Sequence, residues 1–139
     1  MALQDDSGPL PKPTERSEPF FEAARNHEIR IQRCENCRTF QLPGRIACDA
    51  CLSGDLEWVL ASGRGTIFSY VVVHQKYHPA FAESLPYNAA VVELEEGPRI
   101  TTKITGMRNE ELAVGTAVEA DFEDVGGELS LPRFRPVTK

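Results

Sequence analysis

The sequence has no long apolar run, no basic segment, and no cysteine outside four positions. Its longest apolar stretches, such as Val71-Val72-Val73 and Ala89-Ala90-Val91-Val92, fall far short of the roughly 20 residues needed to cross a bilayer. No membrane segment is expected. The opening Met-Ala-Leu-Gln-Asp-Asp has neither the basic flank nor the apolar stretch of a secretory signal, so a cytoplasmic location with reduced cysteines is expected. The formal charge is −6, and it is evenly spread: residues 1–60 carry 7 basic and 10 acidic groups, residues 61–139 carry 8 and 11. A nucleic-acid backbone would be repelled by either part. Also missing are a serine beside a base, an activated cysteine outside the four, and a carboxylate pair with a reason to be apart. The chain is therefore not expected to be an enzyme.

What is present divides the 139 residues into four stretches. Residues 1–16 contain Pro9, Pro11 and Pro13 with few apolar groups, which predicts an extended arm. Residues 17–28 hold a short helix over 18–26, with Ser17 as cap, Pro19 in the first turn, and Phe20, Phe21 and Ala24 on one face. Residues 29–55 alternate strand and cysteine turn. From 56 to 139, segments 56–61, 65–74, 87–95, 99–105, 116–123 and 128–134 are rich in β-branched and aromatic residues and are separated by Gly, Pro or Asn. The stretch 66–73 is apolar on both sides, as a long strand wrapped into a closed barrel should be. The fold class is mainly β: a short helix, a ribbon, and a five-stranded barrel of the oligonucleotide/oligosaccharide-binding (OB) type.

Cys34-Glu35-Asn36-Cys37 and Cys48-Asp49-Ala50-Cys51 are two C-x₂-C pairs with ten residues between them. Each pair turns two sulfurs to one side of a tight knuckle, and two facing knuckles give the four-thiolate shell that Zn²⁺ accepts with no open position. The ion is read as structural. An iron site of rubredoxin type, a redox dithiol and unconnected buried cysteines are the rival readings. The residue after each second cysteine, often Gly in such knuckles, is Arg38 in one and Leu52 in the other.

Around this ribbon stand Arg33, then Gln41-x-Pro43-x-Arg45 before Cys48, then Leu56-Glu57-Trp58 and Ser62-Gly63-Arg64-Gly65-Thr66. With Pro86-Tyr87, Val91 to Gly97, and Leu112-x-Val114-Gly115, these resemble the zinc-ribbon/OB-fold accessory proteins of acyl-CoA metabolism, catalogued as domain of unknown function 35. The resemblance runs over nearly the whole chain. It implies a rubredoxin-like zinc ribbon ahead of the barrel. It also implies a subunit that binds a thiolase-superfamily enzyme: a thiolase, a hydroxymethylglutaryl-CoA synthase, or a lipid-transfer-type aldolase acting on steroid side-chain CoA thioesters. The partner would carry the chemistry.

Several residues outside the ribbon are candidates for touching such a partner or its acyl-CoA. Phe20 and Phe21 put two aromatics on a short helix, which is expected to dock either on its own domain or on a partner. His74, Tyr77, His78 and Phe81 follow the longest strand; Pro79 argues against the helix on which two histidines four apart would bind a metal. Arg64 lies between two glycines and suits CoA phosphates through paired hydrogen bonds, although the segment lacks the lysine and helix start of a nucleotide loop. Arg45, Arg99 and Arg108 are weaker candidates of the same kind. Trp58 is expected to pack where ribbon meets barrel. Two other classes remain in view: a single-stranded nucleic-acid module, which charge disfavours, and a stand-alone acyl-CoA binding protein.

Overall fold

A computed structural model describes residues 14–42, 45–75, 79, 85–125 and 129–137. The first element is helix α1 (Glu18–Arg25), which carries Pro19 in its first turn and an Arg25–Glu18 ion pair along one side. Ser17 precedes it but does not cap it with its side chain. Its Oγ accepts the Thr14 amide instead, at 2.9 Å, in a turn that leads into the helix. The buried face is Ala23 and Ala24, small enough to let the helix lie close against the strands Arg30–Cys34 and Ser130–Pro136. Phe20 packs on the central apolar cluster and Phe21 meets it edge-on, with ring centroids 5.4 Å apart. Of the two surfaces open to this helix, its own domain takes Phe20.

Strands β1 (Arg30–Cys34), β2 (Phe40–Gln41) and β3 (Leu56–Leu60) form an antiparallel sheet in the order β2-β1-β3. The segment around 56–60, which the sequence pattern assigns to the barrel, is thus hydrogen-bonded to the ribbon: Arg30 faces Leu60 and Cys34 faces Leu56. An apolar strand pattern shows which face is buried but not which strand is the neighbour. Arg33 and Glu57 lie directly opposite and make a cross-strand pair, with Nε 2.7 Å from Oε2. Trp58 stands opposite Gln32, half-buried, on the other side of the strand from Val59. Ile29, Ile31, Val59 and Ala61 join the central cluster and link ribbon to barrel.

The second sheet holds β4 (Arg64–Val73), β5 (Tyr87–Leu94), β6 (Arg99–Thr102), β7 (Ala117–Asp124) and β8 (Ser130–Pro136), in the order β6-β5-β4-β7-β8. Its ends meet. Ile104, just past β6, bridges Phe134 of β8 in parallel, Thr105 N–H donates to Phe134 O at 2.8 Å, and Phe134 N–H donates to Lys103 O at 3.2 Å. That closure turns a curled sheet into a five-stranded barrel of OB type, with Phe134, Ile67, Val92, Leu94 and Val118 fully buried inside. Curvature needs close approach. A Cβ on Gly65 would run into the Glu93 carbonyl oxygen, so glycine is required where β4 and β5 cross. On β4 a register shift between Ile67 and Ser69 interrupts the strict alternation, leaving Ile67, Tyr70 and Val72 toward the core and Phe68 and Val71 exposed.

Outside the barrel, the acidic run of β7 is answered by β8. Arg135 reaches Glu119 (3.2 Å) and Asp121 (3.7 Å), and Arg133 reaches Glu123 (3.0 Å). The Arg133-Phe134-Arg135-Pro136 segment lies within β8.

Candidate metal centre and its surroundings

The two knuckles repeat one backbone plan. In the first, the amides of Asn36 and Cys37 point at Cys34 Sγ (3.3 and 3.4 Å) and Arg38 N–H donates to Cys34 O (2.9 Å). In the second, the amides of Ala50 and Cys51 point at Cys48 Sγ (3.3 and 3.4 Å) and Leu52 N–H donates to Cys48 O (2.9 Å). The residue that closes each knuckle is left-handed: Arg38 at φ 69° and Leu52 at φ 66°. Glycine would be free of cost there; a side chain costs roughly 1–2 kcal/mol.

All four Sγ atoms lie within 4.8 Å of one another, with Cys34–Cys51 and Cys37–Cys48 at 3.6 Å. A tetrahedral shell with metal–sulfur bonds of about 2.3 Å has sulfur–sulfur edges of about 3.8 Å, close to these values. No disulfide is formed; a bonded pair would be at about 2.05 Å. The donor set fits one four-coordinate metal ion held by thiolates. Cys34 and Cys48 are buried while Cys37 and Cys51 face outward.

The surroundings favour thiolate on the outward pair. The Thr39 hydroxyl, 3.1 Å from Cys37 Sγ, and the Thr39 backbone hold the Cys37 thiol down to about 6. The Asn36 side-chain amide, donating to Cys51 Sγ at 3.5 Å, lowers Cys51, helped by the Ser53 backbone. At Cys48 the Cys51 amide pulls downward, but burial and the neighbouring thiols carry the group above its ordinary value. A metal cation would remove that last penalty by neutralising the sulfurs.

Two buried glutamines tie the knuckles together, and the sequence reading did not assign them this part. Gln32 of β1 clamps Arg45, while Gln41 of β2 donates to Ala47 O (3.2 Å) and accepts the Asp49 amide (2.9 Å). The usable signal is a long amide side chain at a buried strand position beside a cysteine pair, Gln32 two residues before Cys34 and Gln41 between the two pairs. A third buried amide, Asn88 on β5, does the same for the barrel. It accepts Ile104 N–H (2.7 Å) and donates to Ile104 O (3.0 Å) beside the closure.

The other candidate residues are dispersed. Arg45 is exposed, 3.8 Å from Asp49. Arg64 pairs with Glu95 at 3.2 Å at the start of β4, and Gly63 beside it makes the turn at φ 81°. Arg99 pairs with Glu93 (3.3 Å) and lies 3.7 Å over the Phe68 ring. Arg108 pairs with Glu111 at 3.5 Å. His74 is exposed past the end of β4. Tyr77, His78 and Phe81 lie outside the described residues. A cleft of about 400 Å³ opens between ribbon and barrel, lined by Ile29, Leu60, Arg64, Phe122 and Arg135, with His27 at one wall. His27 is left-handed at φ 60°, stacks flat on Phe122 at 4.9 Å, and places Nε2 3.1 Å from Asp124 Oδ1.

Two family models match adjoining parts of this fold: the rubredoxin-like zinc ribbon domain of ChsH2 over residues 21–57, and the C-terminal OB-fold domain of ChsH2 over residues 58–123. A DUF35 domain-containing scaffold protein of Methanothermobacter thermautotrophicus is 37% identical, over 69% of this chain and 72% of that protein. The chain belongs to the DUF35 family of zinc-ribbon/OB-fold proteins. A further relative is a probable enoyl-CoA hydratase alpha subunit of Thermomonospora curvata, 41% identical over 84% of this chain. The chain spans only 36% of that protein's length. Among solved structures, a chain of the "Ltp2-ChsH2(DUF35) aldolase" superposes with a TM-score of 0.81 at 38% identity, covering 91% of this chain and 98% of that one. Among the described residues, no helix is long and apolar enough to cross a membrane.

Proposed function

We propose that this DUF35 protein is a non-catalytic, zinc-bearing accessory subunit of a thiolase-superfamily enzyme that processes acyl-CoA, supporting that enzyme's folding and its hold on the thioester. The observation that carries this reading is the likeness to a chain of the solved Ltp2-ChsH2(DUF35) aldolase, which covers 98% of that chain. A lipid-transfer-type aldolase of steroid side-chain thioesters is accordingly the favoured partner, ahead of a thiolase or a hydroxymethylglutaryl-CoA synthase. The relatives named as scaffold proteins and as a hydratase alpha subunit agree with a subunit role.

The chemistry of the metal set supports a holding role. Four thiolates close the shell, so no position is left for substrate or activated water. Zinc is the proposed ion, since it takes four sulfurs at these separations without redox change. The nucleic-acid reading is the poorer one. Arg64, Arg99, Arg133 and Arg135 are each engaged by a carboxylate, which leaves little positive charge on the barrel for a phosphate chain.

Co-expression with a thiolase-superfamily enzyme from the same organism tests the reading. A stable complex is expected, with an enzyme that is poorly soluble or weakly active when made alone. An enzyme soluble and fully active without this chain contradicts it.

A further inference from the structure

The two cysteine knuckles can be laid residue on residue: Cys34 on Cys48, Asn36 on Ala50, Cys37 on Cys51, and Thr39 on Ser53. Cys34 N–H donates to Thr39 O at 2.9 Å and Cys48 N–H to Ser53 O at 2.8 Å, which fixes the correspondence. The backbone serves both halves alike. Two amides point at Cys34 Sγ and two at Cys48 Sγ, and the Thr39 and Ser53 backbones bond Cys37 and Cys51. The side chains break the symmetry. Asn36 sends Nδ2 across to Cys51 Sγ at 3.5 Å, whereas its counterpart Ala50 has no group to send to Cys37. The hydroxyl that meets Cys37 Sγ at 3.1 Å belongs to Thr39 of the same knuckle, while its counterpart Ser53 turns its Oγ to accept the Asp55 amide at 3.1 Å.

Four thiolates around a divalent cation leave a net charge of about −2, and hydrogen bonds to the sulfurs spread it. Backbone donors are lost only to proline. Side-chain donors are a choice of sequence, and here they sit on the two outward sulfurs, Cys37 and Cys51. Asn36 spans one edge of the site. Its own N–H points at Cys34 Sγ (3.3 Å) and its carboxamide reaches Cys51 Sγ, and those two sulfurs, one from each knuckle, lie 3.6 Å apart. A thiolate offers only lone pairs, so the NH₂ end of the amide must face it, and the Thr39 hydroxyl likewise donates once Cys37 carries its charge.

We propose that Asn36 is a positioning residue of the metal centre: its carboxamide latches Cys51 to the opposite knuckle and, with Thr39 at Cys37, sets how firmly the ion is kept and how readily the outward sulfurs are attacked by an electrophile. The inference rests on the metal proposed above and is independent of the partner enzyme. The two outward ligands are unequal. Cys37 is held from within its own turn, so loss of the Thr39 hydroxyl weakens one sulfur locally. Cys51 is held from the other knuckle, so loss of the Asn36 carboxamide opens the edge at which the two halves meet. Cys51 is then the first ligand to leave.

The test uses the full-length chain loaded with zinc and, separately, with cobalt. Asn36→Ala removes the donor, and Asn36→Asp keeps the shape while setting a carboxylate against the thiolate. Thr39→Val removes the hydroxyl and Thr39→Ser keeps it. Asn36 is exposed, so its variants lose no packing, and thermal unfolding of each loaded protein checks the fold. Zinc affinity, read by competition with a chelating dye, is expected to fall about tenfold in Asn36→Ala and Thr39→Val, further in Asn36→Asp, and not in Thr39→Ser. The sulfur-to-cobalt charge-transfer band should shift in the donorless variants, which a merely structural role would not move. Iodoacetamide should label Cys51 ahead of Cys37 in Asn36→Ala. Ala50→Asn, which supplies the donor that the second knuckle lacks, should restore affinity in Thr39→Val. Wild-type affinity and an unshifted band in both Asn36 variants overturn the proposal and leave the metal in place, as does labelling of Cys37 first in Asn36→Ala. A wild-type chain that takes up neither zinc nor cobalt removes the metal and the latch together.

Discussion

Gln32 holds Arg45 by both of its backbone groups: Nε2–H donates to Arg45 O at 3.2 Å, and Oε1 accepts Arg45 N–H at 3.2 Å. Gln32 is only 5% exposed and lies two residues before Cys34 on the same strand, so one side chain sets the distance between the first knuckle and the chain entering the second.

Replacing that glutamine separates the two knuckles. Gln32→Leu keeps the bulk but leaves the Arg45 amide and carbonyl without their partner in a partly buried place, a cost of about 1–3 kcal/mol. Denaturant unfolding should show that loss, and a chelating dye should take the metal from the variant at lower concentration. Wild-type metal retention in Gln32→Leu would show that the cysteine turns hold their spacing alone.

The left-handed residues closing the knuckles are a reserve of stability. Leu52 at φ 66° is 79% exposed, so nothing is lost in packing when it becomes glycine. Leu52→Gly is expected to stabilise the metal-loaded protein by up to about 1 kcal/mol, the strain relieved less the added freedom of the unfolded chain. Arg38→Gly should act in the same direction. A fall in the unfolding midpoint would mean that the exposed leucine has a contact of its own.

The His27–Asp124 pair gives the protein a pH dependence of known sign. The hydrogen bond to His27 is the first cause that lowers the Asp124 carboxyl below its ordinary value. A depressed carboxyl contributes stability above its unfolded-state value, and loses it as pH falls through that range to the folded-state value. Asp124→Asn should therefore be less stable than wild type at neutral pH, with the difference shrinking as the solution is acidified through the carboxylate range. A difference that is constant with pH would show that the pair does not act through charge.

Much of this was legible in advance, and the rest was hidden for physical reasons. Cys34, Cys37, Cys48 and Cys51 announce their own geometry, because C-x₂-C spacing leaves the backbone few other turns. Strand ends came within a residue or two of β4, β5 and β7, since alternation is a local property. Neighbour choice is not local. Leu56–Leu60 reads as a barrel strand yet pairs with β1, and only the fold shows it. The orientations after Phe68 were hidden in the same way, because one extra residue at Ile67/Ser69 turns Tyr70 and Val72 inward and Val71 outward. Gln32, Gln41 and Asn88 look like ordinary polar residues in strands; their meaning lies in the backbone groups brought to them from 16 or fewer residues away. Phe20 was readable as exposed apolar surface on a short helix, and the closeness of Ala23 and Ala24 to the sheet decides that its own domain covers it.

Native mass spectrometry of this chain co-expressed with a thiolase-superfamily enzyme from the same organism is the most direct measurement. The expected result is one assembly containing both proteins and one zinc ion for each copy of this chain, with the zinc lost only when the chain unfolds. Separate species, with the enzyme intact and active by itself, would contradict the partnership, and a chain folded and free of metal would contradict the structural part given to the four cysteines.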